Sequence, residues 1–134
     1  MPTFADQAIE FYSTISINIP LPEGVEIMHP HLRPDVASVF ETFFQKFYND
    51  NQPRTFIIGI NPGRFGGGIT GIPFTDPIKL KNYCGIDHPF ENKTELSADF
   101  IYQVIDLYGG PEKFYRQFYF TALSPLGFTY KGVN

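Results

Sequence analysis

Apolar and polar positions alternate along this chain with two distinct periods. From Thr3 to Tyr12, the residues Phe4, Ala5, Ala8, Ile9 and Tyr12 recur at helical spacing, and Thr3 and Asp6 can cap the start, so a short helix is expected. After Pro34, Val36, Val39, Phe40, Phe43, Phe44 and Phe47 fall on one helical face while Glu41, Thr42, Gln45 and Lys46 face away. This is the clearest helix, and the polar stretch from Asn49 to Pro53 ends it. The run from Thr55 to Ile60 is short, continuously apolar and β-branched, as expected of a strand covered on both faces. A further helix is expected from Leu96 to Tyr108, with Leu96, Phe100, Ile101, Val104, Leu107 and Tyr108 as its apolar positions and Gly109-Gly110-Pro111 closing it. Glu112 to Gln117 adds a turn or two, and Phe118 to Leu123 forms a second strand, broken by Pro125. Between the first two helices, Pro20, Pro22, Pro30 and Pro34 make Ile19 to Pro34 an irregular extended segment.

The order of helix, strand, long loop, helix and strand predicts a three-layer α/β/α fold around a central parallel sheet. Parallel strands need cover on both faces and neighbours at both edges. The chain reaches Asn134 soon after its second strand, so a further C-terminal part is expected, with weak or no activity from residues 1–134 alone. A length of 134 residues with 43% hydrophobic residues fits one globular domain. No apolar run approaches the roughly 20 residues that cross a bilayer, and the N-terminus lacks the basic and apolar regions of a signal peptide, so no membrane partner and a cytoplasmic location are expected. Cys84 is the single cysteine; with three His in all, neither a disulfide framework nor a metal centre is expected. Ten basic against fourteen acidic residues give a net charge of −4. That balance argues against nucleic acid unless a local basic cluster faces the phosphates.

Candidate chemistry narrows to one loop. Gly66-Gly67-Gly68-Ile69-Thr70-Gly71 satisfies the dinucleotide fingerprint, but Asn61 to Phe65 separate it from its strand and Pro73 follows almost at once, so a Rossmann cofactor is not expected. No Walker sequence is present. His29, His31 and His88 read as loop histidines, Asp87-His88 lacks a nucleophile motif, and Cys84 reads as a small apolar filler. What remains is Asn61-Pro62-Gly63-Arg64-Phe65-Gly66-Gly67-Gly68 at the end of the first strand, where parallel α/β sheets place ligands. Its Pro and Gly content excludes regular structure and lets backbone approach a ligand closely.

Gly59-Ile60-Asn61-Pro62-Gly63-Arg64-Phe65-Gly66 followed by Thr70-Gly71-Ile72-Pro73-Phe74 resembles the first active-site motif of the uracil-DNA glycosylase superfamily. Phe65-Gly66 and Leu123-Ser124-Pro125-Leu126 are most similar to the single-strand-selective monofunctional branch; the mismatch-specific thymine/uracil branch shares the Gly-Ile-Asn-Pro-Gly core. The resemblance implies a glycosylase that excises uracil or a related base from single- or double-stranded DNA without a cofactor. Asn61 would position the hydrolytic water and Phe74 would stack on the extruded base. Gly63, Phe65 and Gly67 would contact the base, and Arg64 a phosphate. Two departures accompany it. Ala122 stands where that branch carries an Asn that pairs with the base edge, and no His-Pro-Ser-like second motif follows, so none of His29, His31 and His88 takes the anion-stabilising role. A non-catalytic nucleobase- or nucleotide-binding module is the alternative.

Overall fold

The computed structural model describes residues 1–134. The first helix, α1 (Phe4–Thr14), opens on a capping box: Thr3 Oγ1 accepts from the Asp6 N–H and Asp6 Oδ2 accepts from the Thr3 N–H at 2.8 Å. The Thr3 bonds hold the Asp6 carboxyl below its usual range. The second helix, α2 (Pro34–Phe47), buries all six of the residues that its periodicity marks, from Val36 to Phe47. Strands β2 (Thr55–Gly59) and β3 (Phe118–Ala122) pair in parallel, with Ile57 opposite Phe120 and Gly59 opposite Ala122.

Three layers follow from where the strand side chains go. On one face Tyr119 meets Phe4 of α1 (ring centroids 4.8 Å apart) and Phe44 of α2 (6.3 Å). On the other, Phe120 packs on Phe114 at 5.5 Å; Phe114 belongs to α6 (Pro111–Gln117), which itself packs against α5 (Leu96–Tyr108). The sequence therefore predicts the layer order correctly. The start of β2 is tied to the end of α2 by Arg54, whose buried guanidinium donates to both Asp50 carboxylate oxygens and to the carbonyls of Phe47 and Tyr115. Those bonds hold the Asp50 carboxyl below its usual range.

Four features depart from the sequence expectations. The segment read as irregular contains β1 (Val25–Met28) and a 3-10 turn over Pro30–Leu32. β1 pairs antiparallel with β4 (Gly127–Tyr130), Val25 opposite Tyr130. Each strand has only four residues, and a pairing across a hundred positions leaves no local signature. The glycine loop is not wholly irregular: Gly67–Thr70 closes one helical turn, α3, stopped by Gly71 at φ 76°. A six-residue helix, α4 (Pro77–Asn82), follows, capped by Asp76.

The third departure concerns α5, which carries two apolar stripes. The core takes Ala98, Tyr102 and Ile105, leaving Leu96, Phe100, Val104 and Leu107 exposed, Leu107 at 89%. Small Ala98 lets the helix approach closely, and the Tyr102 hydroxyl joins a buried chain with Thr75 and Tyr115 at 2.8 Å each, which fixes the inward face. The fourth concerns β2, which is covered on one face only over part of its length. Phe56 and Ile58 are 54% and 63% exposed on the face where Phe4 reaches no further than Phe56.

Candidate active site

At the C-terminal end of β2 the ladder continues two residues past the strand: the Leu123 N–H donates to Gly59 O (2.9 Å) and the Ser124 N–H to Ile60 O (3.0 Å). The chain then turns at Asn61-Pro62-Gly63. The Gly63 carbonyl accepts from the N–H groups of Gly66 and Gly68, winding the glycine loop into α3. After α3, Thr70 Oγ1 donates to Thr75 O at 2.7 Å and accepts from the Ile72 N–H, which folds the Gly71-to-Thr75 turn back on itself. That turn delivers Phe74 with φ +54°, a left-handed backbone that aromatic residues rarely adopt. Its ring stacks obliquely on Phe120 (5.1 Å) and lies over Gly59, where a Cβ would come within 2.8 Å of Phe74 Cζ. Gly59 is thus the space that the ring needs.

These turns enclose a cleft of about 140 Å³, lined among others by Asn61, Gly63, Gly67, Phe74 and Ala122. The structure brings together four of the residues that the sequence singles out. The Asn61 side chain makes no hydrogen bond within the protein and is free for a ligand. Phe65 and Arg64 lie elsewhere. They line an adjoining shallow cleft with Arg33 and Lys93, and the Arg64 guanidinium sits 4.7 Å above the Phe65 ring while donating to Gly132 O. Arg33 pairs with Asp35 and Lys93 with Glu91, whereas Arg64 has no carboxylate partner. Arg64 is therefore the one cation of this cleft without a carboxylate partner, and with Glu91 also in the lining the cleft is mixed in charge and not the basic cluster that the net charge made necessary for a DNA partner.

Two further cleft residues escape the sequence reading. His31, read as a loop histidine, is buried between Tyr12 and Phe40, each ring 4.7 Å away. Its Nε2 lies 2.7 Å from the Gly71 carbonyl, which can only accept, so Nε2 carries the proton and Nδ1 is a bare acceptor. Burial, helped by nearby His29, lowers its pKa to about 4, so the ring is neutral at pH 7. Glu95, which precedes α5, projects its carboxylate against Gly63 and Gly66, where a Cβ on either would overlap it. His31 Nδ1 and Glu95 Oε2 are the two buried side-chain polar atoms without a partner, and both residues line this cleft. Their only sequence signals are Pro30 before His31 and the helix start after Glu95, and both suit solvated residues equally well.

Cys84 is buried as expected, 3.3 Å from the Tyr102 hydroxyl, and burial pushes its thiol up to about 11. No group of three or more His, Cys, Asp or Glu side chains is placed to hold a metal ion.

Residues 45–131 match the family model described as the Uracil DNA glycosylase superfamily. No curated protein matches the chain. Among solved structures, the crystal structure of wild-type Pedobacter heparinus SMUG2 is similar, with 48% identity and a TM-score of 0.92 over 97% of this chain and 56% of that one. The chain thus spans little more than half the length of that protein. An identity this high over nearly every residue, together with a family match across both parallel strands and the Asn-Pro-Gly turn between them, leads to one conclusion: the chain belongs to the uracil-DNA glycosylase superfamily, in its SMUG-like branch.

Proposed function

We propose that the protein is a monofunctional DNA glycosylase that hydrolyses the N-glycosidic bond of uracil or a related damaged base. One observation carries this reading: an unengaged Asn61 amide and an aromatic ring, Phe74, line the same cleft at the C-terminal end of a parallel strand. Breaking an N-glycosidic bond leaves positive charge on the sugar and negative charge on the departing base, so the site must place water and receive an anion. Asn61 can orient the water at C1′. The target base is inaccessible within a duplex and must be flipped out; stacking on Phe74 would recover about 1–3 kcal/mol of the unstacking cost. Hydrogen-bond donors at the base oxygen would each contribute about 3–4 kcal/mol to the transition state. No Lys lines the cleft, which supports hydrolysis by water over a Schiff-base route. Arg64, the unpaired cation of the adjoining cleft, and Phe65 beside it would meet the DNA strand that carries the base.

Ala122 favours a second reading, a nucleobase-binding module without catalysis, because it brings no hydrogen-bonding side chain to the base edge. Uracil release by the full-length protein from single- and double-stranded DNA separates the two. Asn61→Ala should lower release by at least about 10²-fold, the scale of a misplaced reactant, while DNA binding persists. Unchanged turnover removes Asn61 from the mechanism, and wild-type binding without release selects the module.

A further inference from the structure

Glu95 supplies the only carboxylate that lines the cleft holding Asn61 and Phe74. Its position is built. The Glu95 N–H donates to Asp76 Oδ2 at 3.0 Å, and Asp76 is itself fully buried and accepts the Lys79 N–H at 2.8 Å. Glu95 Oε1 accepts from the Ser97 hydroxyl. Glu95 Oε2 is buried against Gly63 and Gly66, two and five residues along the chain from Asn61, and has neither a hydrogen-bond donor nor a salt-bridge partner. The nearby cation, Lys79, is spent on Asp76 and Asp99. A carboxylate oxygen removed from water and left without a donor costs more than a neutral group would, and an orphaned atom of this kind calls for a ligand that brings the missing proton.

Hydrolysis of an N-glycosidic bond has one participant of that description. Water attacking C1′ must lose a proton, and the neutral Asn61 amide can orient the water but cannot take that proton. The geometry points to Glu95 as the catalytic base of the glycosylase reaction, with Oε2 accepting a hydrogen bond from the hydrolytic water and then its proton. The bond between C1′ and the base nitrogen breaks with its electron pair leaving on the base, and the water oxygen bonds to C1′. The released proton passes to Glu95 Oε2 and from there to solvent or the departing base. Products are an abasic sugar hydroxyl and the neutral base, with the carboxylate restored. This assignment rests on the glycosylase reading above and adds a residue to it.

The test compares wild type, Glu95→Gln and Glu95→Asp in the full-length protein. Two quantities are measured: the single-turnover rate of uracil release, and affinity for DNA whose uracil nucleotide carries a 2′-fluorine that blocks hydrolysis. Gln keeps the shape and can still accept from Ser97, so a merely structural Glu95 would leave the rate unchanged. As the base, its loss should slow release about 10²- to 10⁴-fold, with affinity within about threefold of wild type. Asp, shorter but still a base, should release uracil at least about tenfold faster than Gln. A Gln variant within about threefold of the wild-type rate, a parallel loss of rate and affinity, or an Asp variant no faster than Gln overturns the assignment of Glu95 alone. A wild-type protein that binds this DNA and releases no uracil from the unmodified substrate overturns the glycosylase reading and the assignment together.

Discussion

His31 makes the protein acid-sensitive in a window that its carboxylates do not share. In the unfolded chain an imidazole titrates near 6.5, whereas the native ring, buried between Tyr12 and Phe40, titrates at about 4. Between those values the unfolded state binds more protons than the folded one, so stability rises with pH through the window and falls as pH drops from about 6.5 to about 4. Linkage with these two values gives a loss of about 2 kcal/mol between pH 7 and pH 4.5. Asp6 and Asp50 act in the same direction but lower, because their native pKa values are depressed below the usual carboxylate range and their contributions fade as pH falls through those values. His31→Gln isolates the imidazole, since a Gln amide can still donate to the Gly71 carbonyl but does not titrate. Urea unfolding of both full-length proteins at pH 7, 5.5 and 4.5 should show wild type losing about 2 kcal/mol more than the variant. The carboxylate contributions cancel in that difference. Parallel stability curves would refute a buried, neutral His31.

Gly59→Ala should slow base release by at least about tenfold with little effect on stability, because the added methyl forces the Phe74 ring aside; single-turnover kinetics beside thermal melting separates the two effects. Cys84, with its thiol raised to about 11, should resist an aromatic disulfide reagent at pH 8 until the protein unfolds in denaturant, and rapid labelling of the native protein would contradict its burial.

The sequence made the scaffold legible wherever one period dominated. The fourteen residues of α2 carry a single uninterrupted apolar stripe and a polar back, so its buried set is readable from spacing alone. α5 defeats the same reasoning because its apolar residues exceed one face, and only tertiary contact decides that Tyr102 turns inward while Phe100 faces out. β1 and β4 are too short to show a period, and their pairing depends on a meeting of distant segments. That Asn61, Gly63, Gly67 and Phe74 line one cleft was legible through the resemblance of their two motifs to the family, and the loop's Gly and Pro content through the close backbone approach they permit. Glu95 and His31 were not. A carboxylate or an imidazole in a polar loop looks solvated until a turn from another part of the chain, here Gly63 to Gly66 or Gly71, closes over it. Arg64 and Phe65 sit in the motif by sequence yet face the neighbouring cleft, because adjacent loop residues need not share a surface.

The left-handed backbone at Phe74 sets backbone strain and ring packing against each other at one position. A backbone with φ +54° favours Gly or Asn and costs an ordinary side chain about 1–2 kcal/mol, while the ring it carries packs on Phe120 and against the core. Burying an aromatic side chain contributes about 1.5–3 kcal/mol, enough to offset that strain, so Gly would relax the backbone and forfeit the ring's contacts, and a β-branched residue would satisfy neither demand. The turn therefore keeps its strained backbone only while the ring stays seated on Phe120 and over Gly59, which couples the shape of this cleft wall to the core beneath it.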